Sequence, residues 1–175
     1  NIEKVLITSG STDPYKCVLQ ILSAIKPYEL TQISFRILIG NFYKEEYVYE
    51  LNTAFSQCEN VDFVKWSGQI ADEIESVDLV ISPGSSMVME SLSLNVPCIT
   101  YQFADNHHQT CVELERRGMA KWMGSFSDKV DKKKITDIFT ANISYEERKK
   151  QSLKYSNFFD GKGMDRVIRI IVSTY

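Results

Sequence analysis

The 175-residue sequence is poor in the residues that build metal and redox centres, with 2 histidines and 4 cysteines. Cys17, Cys58, Cys98 and Cys111 are scattered, with no CxxC pair. That spacing argues against a zinc knuckle or a redox dithiol and fits ordinary thiols of a reducing compartment. No apolar run approaches the ~20 residues of a membrane span, and no charged-then-apolar leader opens the chain. The expectation is a cytoplasmic protein with no membrane partner. A large excess of one sign of charge is also missing: 20 basic and 23 acidic residues leave a net charge of -3. Nothing in that balance attracts nucleic acid, so a small ligand or a protein is the expected partner. Initiator methionine is absent, since the chain begins at Asn1 and a strand pattern follows within four residues. We read this as a piece of a longer protein whose function is shared with an N-terminal part.

What is present is alternation. Short β-branched runs occur at 4–9, 33–40, 61–66, 77–82 and 97–103, separated by amphipathic stretches at 14–27, 43–57, 70–75, 85–94 and 106–117. This βαβ order predicts an α/β fold, a doubly wound, Rossmann-like parallel sheet covered on both faces. "AKWM" at 120–123 adds a short sixth strand, and three helical segments follow Gly124. With 43% hydrophobic residues the length suits one well-buried core, so residues 1–175 are expected to form a single domain. Gly161 and Gly163 mark a joint before a last helix that returns to pack elsewhere.

In an open parallel sheet, ligands bind beyond the carboxyl ends of the strands. The first such loop, "TSGSTDPYK", holds Ser9, Gly10 and Ser11, with Asp13 and Pro14 in the form of an N-cap and first helical residue. A capped helix and a phosphate contact both explain it. No GxGxxG or P-loop pattern specifies a dinucleotide or ATP, and no cofactor is called for. In the fourth loop, "ISPGSSMVMESL", Gly84 allows close backbone approach, while Ser85 and Ser86 open a helix whose free N–H groups suit an anion. Glu90 lies one turn further along that helix. A carboxylate there would repel a diphosphate, so a functional Glu90 accepts hydrogen bonds from ribose hydroxyls; otherwise it serves the helix dipole. After the fifth strand, Asn106 and Gln109 have the form of a reciprocal cap. His107 and His108 diverge by about 100° on a helix and cannot face one ligand. Neither a metal nor a nucleophile pairs with them by spacing.

Four segments in order, "VLITSGSTDP", "DLVISPGSSMVMESLSLNVPCITY", "ADNHHQTCVELERRGMA" and "FDGKGMDRVI", carry a family likeness. Together they resemble the C-terminal half of the GT-B superfamily UDP-sugar hydrolases of pseudaminic acid and spore-coat polysaccharide synthesis. The likeness covers nearly the whole chain. It implies binding of UDP or a UDP-amino-sugar. Gly84, Ser85 and Ser86 would meet the diphosphate, Glu90 the ribose, and the "WSGQI" loop from Ser67 to Ile70 the uracil. Ser9, Gly10 and Ser11 would face the diphosphate or the interdomain cleft, Asn106 the diphosphate or sugar, and His107 the sugar. Two positions depart from the family pattern: His107 stands where Gln is expected, and Ser9 replaces the first Gly of a Gly-Gly-Ser opening. The resemblance places the catalytic histidine in the absent N-terminal half, so no catalytic residue is assigned here. It implies a hydrolase of nonulosonic acid (pseudaminic, legionaminic, sialic-like) synthesis, possible as a fusion behind an acylneuraminate cytidylyltransferase. The alternatives are the donor-binding domain of a GT-B glycosyltransferase and a degenerate noncatalytic assembly module.

Overall fold

The β-branched runs become six strands because each carries apolar residues on both sides of its pleat. The computed structural model describes residues 2–66, 68–126, 130–155 and 158–173. In chain order the strands are β1 (Lys4–Thr8), β2 (Ser34–Ile39), β3 (Val61–Lys65), β4 (Leu79–Pro83), β5 (Cys98–Gln102) and β6 (Ala120–Ser125). They form one sheet in the order β3-β2-β1-β4-β5-β6, with every neighbouring pair parallel. The strand period of two sorts the side chains. Val5, Ile7, Ile37, Ile81 and Tyr101 face one buried cluster, whereas Leu6, Leu38, Val80 and Cys98 face the other.

The helices are α1 (Cys17–Ile25), α2 (Glu45–Ala54), α3 (Ile70–Glu75), α4 (Ser86–Ser93), α5 (Asp105–Arg116), α6 (Lys132–Ile143), α7 (Tyr145–Tyr155) and α8 (Gly163–Ser173). α1, α2 and α6 cover the first face, through residues such as Ile21, Leu51 and Phe139. α3, α4, α5 and α7 cover the second, through Ile74, Val88, Leu114 and Tyr155. The sheet is therefore doubly wound, as expected. Arg148 of α7 is buried and donates from Nη1 to the carbonyls of Asn142 (3.2 Å) and Ile143 (2.6 Å), so its charge meets the negative end of α6.

α8 differs from the rest: none of its residues is buried. Met164, Val167, Ile168 and Ile171 form an apolar stripe at helical spacing, all at least half exposed. Among the described residues no helix is long and apolar enough to cross a membrane.

Two helix starts differ from the expectation. α1 begins at Cys17 rather than at Pro14, because Lys16 takes a left-handed conformation (φ 51°) and holds 14–15 in a turn. Asp13 nevertheless caps the helix from a distance, accepting from the N–H groups of Cys17 (2.7 Å) and Val18 (3.0 Å). α5 begins at Asp105 with Ala104 in the cap position and no side-chain cap, so Asn106 is a helical residue and not the cap.

Candidate functional site

The strand order places β1 between β2 and β4, and the chain leaves β1 toward α1 on one face and β4 toward α4 on the other. A crevice opens at the carboxyl ends where successive helices diverge in this way. A cavity of about 200 Å³ lies there, lined by Thr8, Gly10 and Ser11 from the first loop, Gly40 and Asn41 after β2, and Trp66 after β3. Met87, in the first turn of α4, closes its other side. Gly40 is required by this arrangement: a Cβ there would stand 2.6 Å from the Ser11 carbonyl oxygen. The Phe42 N–H donates to that same oxygen (3.1 Å), so the β2–α2 loop braces the β1–α1 loop.

α4 presents its N-terminus without competition from a side chain. Ser85, at the cap position, is extended (φ -114°) and makes no side-chain cap hydrogen bond. Backbone N–H groups at such an end carry partial positive charge and suit an anion. Glu90 is exposed on the same helix. Gly84 serves helix packing rather than an open approach, since a Cβ would meet Cys111 Sγ at 2.5 Å and the His107 carbonyl oxygen at 2.8 Å. The missing side chain thus lets α5 close against the β4–α4 loop.

The structure brings together only some of the residues singled out by sequence. Gly10 and Ser11 line the cavity with the first turn of α4, whereas Ser9 is buried and its hydroxyl donates inward to Asp13 (3.2 Å). Ile70 begins α3 beside the second core cluster. Ser67 lies outside the described residues. Asn106 is exposed and lines a separate groove with Met89 and Phe158. His107 is 6% exposed and its ring stands nearly perpendicular to that of Phe103 (87°), with centroids 4.7 Å apart. Burial lowers its pKa below the ordinary value, and its Nδ1 has no hydrogen-bond partner among the described residues. His108 is exposed and its Nδ1 pairs with Gln102 (2.9 Å). The two histidines diverge as expected. Asn41 and Trp66 as cavity walls were not anticipated; the Gly-Asn pair directly after β2 was the available signal.

The three buried thiols, Cys17, Cys98 and Cys111, are poor nucleophiles. Burial pushes the Cys98 pKa up to about 12 and that of Cys17 higher still. Among the described residues no group of three His, Cys, Asp or Glu side chains could hold a metal ion.

These features define the Rossmann-like C-terminal fold of GT-B proteins. Similar folds include the spinosyn rhamnosyltransferase SpnG complexed with thymidine diphosphate (TM-score 0.69, 15% identity, 91% of this chain and 42% of that one). Anabaena HepE in complex with UDP-glucose is similar at a TM-score of 0.69 and 15% identity, over 99% of this chain and 49% of that one. The UDP-GlcNAc 2-epimerase from Neisseria meningitidis bound to UDP-GlcNAc gives 0.72 and 16%, over 99% and 44%. The chain thus spans less than half the length of each. No curated protein matches it in sequence. The chain belongs to the glycosyltransferase family 28 C-terminal domain family, whose pattern matches residues 4–160.

Proposed function

We propose that this chain is the nucleotide-sugar-binding half of a GT-B glycosyltransferase, taking UDP or a UDP-amino-sugar at the carboxyl edge of its sheet. The observation that carries the reading is the cavity between the β1–α1 loop and the first turn of α4, beside a helix N-terminus with no side-chain cap. The family membership and the nucleotide-bound relatives support it. The uncapped end of α4 at Ser85 and Ser86 receives the diphosphate with Gly10 and Ser11, and Glu90 accepts from the ribose hydroxyls; Gly84, whose N–H is bonded to the Tyr101 carbonyl (3.0 Å), shapes the turn from behind rather than meeting the diphosphate. Asn106, in its separate groove, and His107, buried against Phe103, do not reach this cavity, so neither is assigned a sugar contact here. This half stabilises the departing nucleotide, while the acceptor and its base come from an N-terminal half across the cleft, as attack opposite the leaving group requires. That half also covers the apolar stripe of α8, whose exposure is the second support for a missing partner domain.

Calorimetric titration with UDP, with CMP as control, tests the reading. Saturable UDP binding should weaken about tenfold in Glu90→Ala, the loss of one hydrogen-bonded charged group. Equal binding of UDP and CMP, or an unaltered affinity in Glu90→Ala, would overturn the assignment.

Hydrolysis of a UDP-amino-sugar in nonulosonic acid synthesis is the second reading, favoured by the resemblance carried by the four ordered motifs. A longer protein that releases UDP from the sugar nucleotide without any acceptor would select it, whether or not a cytidylyltransferase precedes it. A noncatalytic assembly role remains for a folded chain that ignores nucleotides both alone and with its N-terminal half.

A further inference from the structure

Beneath the cavity sits a carboxylate that the proposed chemistry does not use. Asp13 is 9% exposed and accepts four hydrogen bonds: from the N–H groups of Cys17 (2.7 Å) and Val18 (3.0 Å), the Tyr47 hydroxyl (2.7 Å) and the Ser9 hydroxyl (3.2 Å). No cation is among these partners; the start of α1 and two hydroxyls hold the charge. Tyr47 belongs to α2, and its hydroxyl also accepts from the Leu19 N–H (3.3 Å), so one side chain ties α2 to both Asp13 and α1. Tyr43 stacks on Tyr47, with ring centroids 5.6 Å apart. Ser9, gripped by Asp13 from below, is followed directly by Gly10 and Ser11, which form the cavity wall.

We propose that Asp13 and Tyr47 are positioning residues that fix the β1–α1 loop in the shape presented to the diphosphate of a bound nucleotide. The inference rests on the nucleotide-binding reading above. The loop is held at two points: the Asp13 carboxylate anchors Ser9, and the Phe42 N–H anchors the Ser11 carbonyl. A carboxylate is favoured because each of its oxygens meets one backbone N–H and one hydroxyl; an amide could bond a hydroxyl through its NH2, but in either orientation that NH2 would also face the N–H of Cys17 or of Val18. The replacement of glycine by Ser9 acquires a role here, since its hydroxyl completes the shell around Asp13.

The test is calorimetry of the wild type, Tyr47→Phe and Asp13→Asn with UDP and with uridine, alongside hydrogen exchange of residues 8–18. Tyr47→Phe keeps the ring stack and removes one bond to the carboxylate. It should weaken UDP about tenfold and change uridine by less than about twofold, because only the diphosphate meets this loop. Exchange at Gly10, Cys17 and Val18, whose N–H groups are bonded in and around the loop, should quicken while β4 stays protected. Equal losses for UDP and uridine, or unchanged exchange in the loop, would overturn the proposal. A wild type that binds neither ligand, alone and with its N-terminal half, defeats the nucleotide reading, and with it the diphosphate role. The exchange arm then still decides whether the two side chains set the loop. Should Asp13→Asn fail to fold, the milder Tyr47→Phe carries the measurement.

Discussion

Protonating His107 would place N–H groups on both ring nitrogens, and one of them, Nδ1, lies buried with no acceptor among the described residues. The same burial lowers the pKa below the ordinary 6.5. In the unfolded chain the ring protonates near that ordinary value, so between it and the lower folded value the unfolded state binds more protons. The stability that depends on neutral His107 is thus fully present above about pH 6.5 and lost as pH falls through the folded pKa. His107→Gln removes this proton, and Gln is the residue that the family resemblance expects there. Urea midpoints measured at pH 7.5 and 5.5 should fall more steeply in the wild type than in the variant. Parallel slopes would mean that the ring is solvated. This position also shows what sequence can and cannot convey. That the two histidines diverge follows from helical geometry. Which of them turns inward is set by Phe103 and by the close approach permitted at Gly84.

At the scale of elements, parallel strands were legible because burial on both faces leaves unbroken β-branched runs, and all six are found within two or three residues of the expected ends. Helix starts were less legible. Asp13-Pro14 has the composition of a cap and first helical residue, yet the left-handed Lys16 delays the helix, and the carboxylate reaches over the turn to cap it. Asn106 and Gln109 similarly mimic a reciprocal cap that the backbone begins two residues too early to use. The site was half legible: the loops after β1 and β4 stood out by their Gly and Ser residues, while Asn41 and Trp66 were passed over because neither type signals chemistry alone. α6 was foreseen as an amphipathic helix, and its place on the first face depends on long-range packing. Its N-terminus is capped by Asp131, which accepts from the Lys134 N–H (3.0 Å), and Thr136 donates to the Ala24 carbonyl at the end of α1 (2.9 Å). Phe139 anchors it, 1% exposed and with its ring centroid 6.0 Å from that of Phe35. Phe139→Ala should therefore destabilise the fold by about 3–5 kcal/mol, read as a lower urea midpoint. A loss below about 1 kcal/mol would show that α6 is an appendage and not part of the sheet's cover.

For the whole molecule, the first seven helices and α8 obey different rules. The former bury their apolar faces against the sheet or one another, whereas Met164, Val167, Ile168 and Ile171 are all exposed. An apolar stripe beside Asp165, Arg166 and Arg169 is the pattern of a helix that packs on something, so its free energy of burial is realised only when a partner arrives. On the function proposed above, the candidate is the N-terminal half, which would hold α8 while facing the nucleotide across the cleft. Replacing Ile168 and Ile171 by Glu separates intrinsic from borrowed stability. In the isolated chain the pair should change unfolding free energy by less than about 0.5 kcal/mol, as surface substitutions do, and should reduce binding of an apolar dye. In the longer protein the same pair should release the two halves from each other and weaken nucleotide-sugar turnover, with UDP binding by this half retained. A large destabilisation of the isolated chain would instead place α8 within its own core.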